Sequence, residues 1–231
     1  MNIDFSLFEK KVAIQFKNKD LLRQAFTHRS FLNENPNLKL QHNERLEYLG
    51  DAVLELVVTE YLFKEFPDKP EGELTAYRAA LVNTQSISLV AQELSMNDFL
   101  LLSRGESKDI GKARQYILAN TFEAVIGAVY LDSGYGEASR FIASYLLPRL
   151  KEILEKRLWQ DAKSSFQEKA QEEAGVTPSY TVVKETGPDH DKQFTVGVYL
   201  DEELVATGEG KSKQEAEQGA AQKALEKKGW T

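Results

Sequence analysis

The stretch N-E-R-L-E-Y-L-G-D at residues 43–51 combines acidic and apolar residues at helical spacing. On a helix with about 100° per residue, Glu44, Glu47 and Asp51 fall within an arc of about 60°. The opposite side carries four apolar residues: Leu46, Leu49, Val53 and Leu56. Taken alone, this pattern is typical of an amphipathic helix whose acidic face contacts water.

The acidic stripe turns apolar further along the chain, at Leu54, Val58 and Leu62. A face that turns apolar is not freely solvated, so the sequence predicts a helix that is buried on most sides. Like charges at these spacings repel one another, and a divalent cation is an economical counter-charge. Because oxygen donors without cysteine or histidine suit Mg²⁺ or Mn²⁺ better than zinc, the stretch predicts a site for one of these ions.

A second acidic group falls in the segment A-N-T-F-E-A-V-I-G, which ends at Gly127. Asn120, Glu123 and Gly127 share one helix face, and the missing glycine side chain would let another helix approach closely. Glu123 is an isolated charge in an apolar segment, and such a group normally has a partner. Its partner could be a metal ion or an arginine such as Arg45 or Arg78. The spacing alone does not choose between them.

The chain has two composition regimes. Helical periodicity runs almost throughout residues 1–155, which predicts a mostly helical domain. After a polar linker at 156–162, residues 163–231 predict an α-β-β-β-α unit, with three runs rich in β-branched and aromatic residues between two helices. These helices are predicted to open at Ser165 and Ser212, each with a glutamate three residues on, which is the spacing of a capping box.

Composition is that of an ordinary globular protein, with 42% hydrophobic and 28% charged residues and no cysteine. The lack of cysteine excludes disulfides and thiolate metal sites. The first residues show no signal-peptide pattern, and no apolar stretch approaches about 18 residues, so we expect a cytoplasmic protein with no membrane partner. The net charge of −7 argues weakly against a nucleic-acid partner, although net charge is a poor guide where basic residues are clustered.

Four segments together closely resemble bacterial ribonuclease III, in the same order. They are T-H-R-S from Thr27, N-E-R-L-E-Y-L-G-D-A-V-L-E-L from Asn43, P-E-G-E-L-T from Pro70 and A-N-T-F-E-A-V-I-G-A-V-Y-L-D from Ala119. The C-terminal unit, with G-P-D-H from Gly187 and G-E-G-K-S-K from Gly208, is similar to a double-stranded RNA-binding domain. The resemblance covers almost the whole chain. It implies a mostly α endonuclease domain followed by a small α+β RNA-binding domain.

The resemblance also implies an activity. It is that of an endoribonuclease that cleaves double-stranded RNA by metal-dependent phosphodiester hydrolysis and leaves 5′-phosphate and 3′-hydroxyl ends. The expected role is the processing of precursor ribosomal RNA, messenger RNA and other structured transcripts. Mg²⁺ is the implied cofactor, with Mn²⁺ possible, and no small-molecule cofactor is expected. The family acts as a homodimer with one centre per subunit. The apolar runs 54–63 and 121–131 give that state soft support, although burial within one subunit accounts for them equally simply.

Two other functions compete with this one. A double-stranded RNA-binding regulator that does not cleave is favoured only by Asn120, because the family often has aspartate there. The acids retained elsewhere oppose it, since a purely binding protein has no evident need of them. A metal phosphohydrolase acting on small molecules is opposed by the C-terminal unit.

By the resemblance, the metal is held by four residues: Glu47, Asp51, Asn120 and Glu123. The catalytic set comprises Asp51, Glu123, Glu44 and Glu71. An amide such as that of Asn120 still offers a carbonyl oxygen, so it can ligate a cation. Glu71, taken alone, is a turn residue or a first-turn acid that the helix dipole favours.

The candidate RNA contacts of the C-terminal unit are Gln167, Gln171, His190, Lys211 and Lys213. The two glutamines lie four residues apart on one helix face, where they could reach the minor groove of duplex RNA. Each glutamine could equally be a surface residue, and His190 a turn residue. Residues 161–231 carry nine lysines, fourteen acids and no arginine. This net charge of −5 predicts modest RNA affinity and a shallow salt dependence.

Overall fold

The protein is described by a computed structural model over four ranges, residues 3–108, 111–159, 161–188 and 192–230. The chain forms two compact units, Met1–Trp159 and Gln160–Thr231. The first is helical, and the second combines a three-stranded antiparallel sheet with helices. The predicted fold class is therefore confirmed. The predicted RNA contact His190 lies outside the described residues.

The first unit is built from helices of very different length. They are α1 (Ser6–Val12), α2 (Lys19–Ala25), α3 (Arg29–Glu34), α4 (Glu44–Glu65), α5 (Glu71–Val82), α6 (Thr84–Glu93), α7 (Lys112–Ser133), α8 (Tyr135–Tyr145) and α9 (Arg149–Glu155). Two short 3₁₀ turns, Met96–Phe99 and Glu106–Lys108, lie between α6 and α7. The long helices α4 and α7 pack against each other more extensively than any other described pair of elements.

The core of this unit forms around α4 and α7. The continuation of the acidic stripe on α4 is buried as predicted, with Leu54, Val58 and Leu62 almost inaccessible. Leu56, on another side of the same helix, is 57% exposed. Leu56 lies about 60° around the helix from buried Val53, which takes it past the edge of the face that contacts the core. On α7, most residues from Ile117 to Val129 are buried.

Two glycines allow α4 and α7 to touch through their backbones. A Cβ atom on Gly50 would lie 1.7 Å from the Glu123 carbonyl oxygen. A Cβ atom on Gly127 would lie 2.2 Å from the Leu46 carbonyl oxygen. Neither position can hold a larger residue without moving a helix, because the obstructing atoms belong to backbone. The close approach that the sequence predicted at Gly127 is confirmed.

The second unit contains α10 (Ala162–Ala174), β1 (Ser179–Thr186), β2 (Gln193–Leu200), β3 (Glu203–Gly210) and α11 (Lys213–Lys228). Its strands pair antiparallel in the order β1-β2-β3. Helix α11 lies close against β3, and a Cβ atom on Gly208 would lie 2.1 Å from the Ala220 backbone nitrogen. Phe166 of α10 is fully buried in the core of this unit.

The two predicted helix starts of this unit fare differently. Ser212 caps α11 as predicted, and its Oγ accepts a hydrogen bond from the Glu215 N–H at 3.2 Å. The predicted start at Ser165 is wrong, since α10 begins at Ala162. Asp161 caps this helix by accepting hydrogen bonds from the backbone N–H groups of Lys163 and Ser164. A carboxylate four residues before Ser165 thus satisfies the free N–H groups before Ser165 can.

We predict that Gly127→Ala destabilises the first unit by about 1–3 kcal/mol or more, because its methyl group must push α4 away from α7. Gly136→Ala in α8 is the control, since a Cβ atom there meets nothing within 4 Å. That change should stabilise the helix by about 0.5–1 kcal/mol.

Urea unfolding can measure both changes through the fluorescence of Trp159 in a Trp230→Phe background, because the chain has only two tryptophans. Equal stabilities for the two alanine variants would contradict the backbone contact between α4 and α7.

Candidate active site

An open cleft of about 640 Å³ lies where α4 and α7 cross. Its lining residues are Glu44, Glu47, Tyr48, Asp51, Asn120 and Glu123. The structure therefore brings together five of the residues predicted for the catalytic centre. Tyr48 was not predicted, although its position beside Glu47 on the acidic side of the helix could have indicated it.

The glycine contacts explain why these residues meet. Asp51 follows Gly50 directly, and Glu123 lies one turn before Gly127 on α7. Because the helix backbones touch at these glycines, the neighbouring carboxylates stand on opposite walls of one cleft. Helix packing, and not sequence proximity, therefore assembles the site.

The start of α4 is held by Asn43, which is 2% exposed. Its side-chain amide donates to the Ala25 carbonyl at 3.1 Å, and its backbone N–H donates to the Thr27 carbonyl at 2.9 Å. The Thr27 side chain is itself buried and donates to the Arg23 carbonyl at 2.7 Å. The T-H-R-S segment thus fixes the first turn of α4, which carries Glu44 and Glu47.

Glu123 is the most perturbed acid of the cleft. Its pKa is raised from an ordinary 4.5 to about 8, first by burial and then by the charges of Asp51 and Glu47. The pKa of Glu47 is also raised, first by burial and then by Glu44 and Asp51. Over the described ranges, no lysine, arginine or histidine lies within 4.0 Å of these three inner acids, Glu47, Asp51 and Glu123. The cleft therefore holds acidic groups that lack a compensating positive charge.

The arginine partners that were considered for Glu123 lie elsewhere in the first unit. Arg78 lies 2.9 Å from Glu55 through its Nε atom, and its Nη1 donates to Thr59 Oγ1 at 2.9 Å. Arg45 lines a separate pocket beside Tyr48 and Leu131. The interpretation of Glu123 as the partner of either arginine is therefore wrong.

Glu44 differs from the inner acids because it lies at the rim of the cleft. Arg29 Nη1 lies 3.8 Å from one of its oxygens, and His42 Nδ1 lies 3.7 Å from the other. All three side chains are substantially exposed. His28 has a different task, because its Nδ1 accepts the Ser30 N–H at 3.3 Å and so caps α3. Burial lowers the pKa of His28.

Glu71 is not among the residues that line this cleft. It lies at the start of α5, where its carboxylate accepts a hydrogen bond from Thr75 Oγ1 at 3.0 Å. There it lines another pocket, of about 410 Å³, together with Phe63 and Arg78. Sequence reasoning could not detect this separation, because it depends on how α5 packs beside α4.

The donor set of the cleft fits a hard divalent cation. Carboxylate and amide oxygens are the ligands that Mg²⁺ and Mn²⁺ prefer, and the uncompensated charge of the inner acids favours a cation. No three acidic or imidazole groups already converge as a ligand set within the part of the chain that the structure describes. Mutual repulsion keeps carboxylates apart, so side-chain rotation within the open cleft is the movement that would bring them to one ion.

The candidate RNA contacts of the second unit lie on two elements. Gln167 and Gln171 are exposed, one turn apart on α10. Lys211 and Lys213 are exposed at the start of α11. The backbone N–H of Lys211 donates to Glu215 Oε2 at 2.8 Å, so a carboxylate already lies among these lysines.

Comparisons with known proteins agree with both units. Residues 18–150 match the family described as Ribonuclease-III-like, and residues 162–228 match the double-stranded RNA binding motif. Ribonuclease 3 of Pelotomaculum thermopropionicum is 45% identical over 222 residues, which are 96% of this chain and 92% of that protein. Ribonuclease 3 of Carboxydothermus hydrogenoformans is 46% identical over 218 residues, covering 94% and 93%.

A solved structure shows the same nuclease fold. The nuclease domain of ribonuclease III from Campylobacter jejuni aligns with a TM-score of 0.57 at 41% identity, over 63% of this chain and 99% of that one. The acidic cleft and the RNA-binding unit thus define the class of an endonuclease that acts on double-stranded RNA. Nucleases of this class are generally metal-dependent. The chain belongs to the ribonuclease III family. It is an endoribonuclease, so the interpretation as a regulator without cleavage is set aside.

The raised pKa of Glu123 predicts how the free energy of unfolding of the first unit depends on pH when a chelator removes metal ions. Between the ordinary pKa of 4.5 and the folded value of about 8, the folded chain keeps a proton that the unfolded chain has lost. Stability must therefore fall as pH rises through this window. Glu123→Gln removes the effect and should stabilise the first unit by roughly 2–4 kcal/mol at the upper end of the window and by little at its lower end.

Urea unfolding in EDTA at several pH values, followed by Trp159 fluorescence in the Trp230→Phe background, measures this difference. A gap between wild type and Glu123→Gln that does not grow with pH would show that Glu123 is not forced to ionise in a buried site.

Proposed function

We propose that the acidic cleft is the RNA cleavage centre and that Glu47, Asp51, Asn120 and Glu123 hold Mg²⁺, with Mn²⁺ as a substitute. The observation that carries this proposal is the set of uncompensated carboxylates on facing walls of one open cleft. When bound, Mg²⁺ supplies the charge that stabilises the in-line transition state of phosphodiester hydrolysis. The carboxylates orient the ion and leave the open side of the cleft to RNA and water.

The outer acids have a different proposed task. Glu44 lies at the rim between Arg29 and His42, where it orients water or the RNA backbone next to the inner acids. Glu71 belongs to the catalytic set through its exposed position at the start of α5, although it lines a separate pocket. Cleavage leaves 5′-phosphate and 3′-hydroxyl ends. The substrates are precursor ribosomal RNA, messenger RNA and other structured transcripts.

The RNA-binding unit is proposed to guide duplexes to this centre. Gln167 and Gln171 contact the minor groove, His190 enters a neighbouring groove, and Lys211 and Lys213 contact phosphates. We place the endonuclease domain at 1–155, the linker at 156–162 and the RNA-binding domain at 163–231. No described helix is long and apolar enough to cross a bilayer, and we propose a cytoplasmic location.

A homodimer is proposed because cleavage of both strands of a duplex requires two centres. Three large apolar side chains on α4 support it: Tyr48, Leu56 and Phe63 are 83%, 57% and 71% exposed. They lie within about 80° on one side of the helix, and such an exposed stripe marks an association surface. The solved Campylobacter jejuni nuclease domain is itself described as having a region involved in dimer formation.

The cleavage centre is tested by incubating a long RNA duplex with the protein, with and without Mg²⁺, beside Glu123→Ala. We expect magnesium-dependent shortening that the substitution reduces by more than about 100-fold, because it removes a direct metal ligand. Glu65→Ala, which removes an exposed acid at the end of α4, is the control and should keep its activity. Full activity of Glu123→Ala would reject this centre.

The homodimer is tested by introducing charge on the exposed side of α4 with Leu56→Glu and Phe63→Glu together. We expect the mass measured by light scattering to fall from two chains to one, since two glutamates would face a second apolar surface. Leu158→Glu alters an exposed leucine elsewhere in the first unit and should stay dimeric. A wild-type protein that is monomeric at micromolar concentration would refute the proposal.

A further inference from the structure

The RNA-binding unit contains more acidic than basic residues, and several of its carboxylates lie beside its lysines. Five of its nine lysines have a carboxylate within 4.0 Å in the described ranges. One of these acids, Glu185, lies within 4.0 Å of two lysines. It also lies at the end of the sheet where the candidate phosphate contacts are found.

The position of Glu185 follows from the strand register. It pairs with Phe194 on β2, which in turn pairs with Gly210 at the end of β3. One carboxylate oxygen lies 3.9 Å from Lys192 Nζ, and the other lies 3.7 Å from Lys213 Nζ. The Lys213 ammonium also lies 5.8 Å from the centre of the Phe194 ring. Glu185 thus joins the β1–β2 end of the sheet to the start of α11.

The contact has the character of a charge interaction. Both distances exceed the range of a hydrogen bond, so Glu185 does not fix the direction of the Lys213 side chain. Glu185 is 40% and Lys213 is 58% exposed, and an exposed pair of this kind separates at little cost.

A neighbouring pair shows the contrast. Lys163 Nζ donates to Glu217 Oε2 at 2.6 Å and lies 4.8 Å from the centre of the Tyr180 ring. This hydrogen bond ties α10 to α11, and Lys163 is not a candidate RNA contact. The Lys163–Glu217 pair is therefore structural, whereas the Glu185 contact occupies a lysine that RNA would need.

We propose that Glu185 limits the affinity of this unit for duplex RNA, because its carboxylate competes with RNA phosphates for Lys213. The inference rests on the proposed role of Lys213 as a phosphate contact. Phosphate binding must displace Glu185 and also approach its negative charge. Weaker binding of RNA suits an endonuclease, because the cleaved duplexes must dissociate before the next substrate binds. Product release limits the turnover of many enzymes.

The test measures binding of the full chain to a short, labelled RNA duplex by fluorescence anisotropy, with EDTA present so that the RNA stays intact. Glu185→Gln keeps the shape of the side chain and removes its charge. We expect binding to tighten about two- to fivefold, the range that an exposed ion pair allows. The gain should shrink as salt rises, because salt screens the interaction.

Glu202→Gln is the matched control. It removes the same charge beyond Leu200, at the opposite end of the sheet and about 20 Å away, which exceeds the screening length of about 10 Å. Its effect on binding should therefore be smaller than that of Glu185→Gln. An equal gain from both substitutions would mean that only net charge matters, and it would overturn the proposal.

Lys213→Gln, alone and combined with Glu185→Gln, separates this proposal from the function on which it rests. We expect Lys213→Gln to weaken binding and to abolish the gain from Glu185→Gln. If Lys213→Gln weakens binding but Glu185→Gln does not tighten it, the competition is wrong and the phosphate contact stands. If Lys213→Gln has no effect on binding, both the competition by Glu185 and the phosphate contact of Lys213 are wrong. A gain that persists without Lys213 also overturns the competition.

Discussion

The backbone contact between α4 and α7 is the constraint on which the rest of the first unit depends. Gly50 and Gly127 each place bare backbone against the carbonyl of the other helix. No side chain separates the helices there, so the residues next to the glycines are carried to facing walls of one cleft. The cleavage centre is therefore specified by two residues without side chains as much as by the acids that line it.

This arrangement brings acidic side chains close together, which lowers the stability of the fold. Glu123 is partly buried and lies near Asp51 and Glu47, and its pKa rises to about 8 as a result. A structural role would be served by an arginine partner, yet Arg78 pairs with Glu55 on the exposed side of α4. Natural proteins break local rules of this kind at functional sites. The energetic cost of the cleft is thus an argument for its chemistry, independent of any resemblance.

The sequence predicted the local features of the fold well. The spacing of apolar residues predicted that the acidic stripe of α4 would continue as a buried face, and Gly127 predicted a close helix contact. The features that the sequence did not predict depend on tertiary packing or on competing caps. Leu56 is exposed because the buried face of α4 extends from Val53 toward the side that carries Leu62, and Leu56 lies outside it. Glu71 lies apart from the cleft because α5 packs to one side. Helix α10 starts early because Asp161 caps it first.

Net charge was the weakest guide to function, and the second unit shows why. A charge of −5 over residues 161–231 would repel RNA if it were spread evenly. Instead, carboxylates such as Glu185 and Glu217 lie next to lysines, so their fields largely cancel beyond about 10 Å in physiological salt. At close range, the positive charge available to RNA depends on which lysines can separate from their carboxylate partners. An exposed pair at 3.7 Å can separate, whereas a hydrogen-bonded pair between two helices cannot do so without loosening the domain.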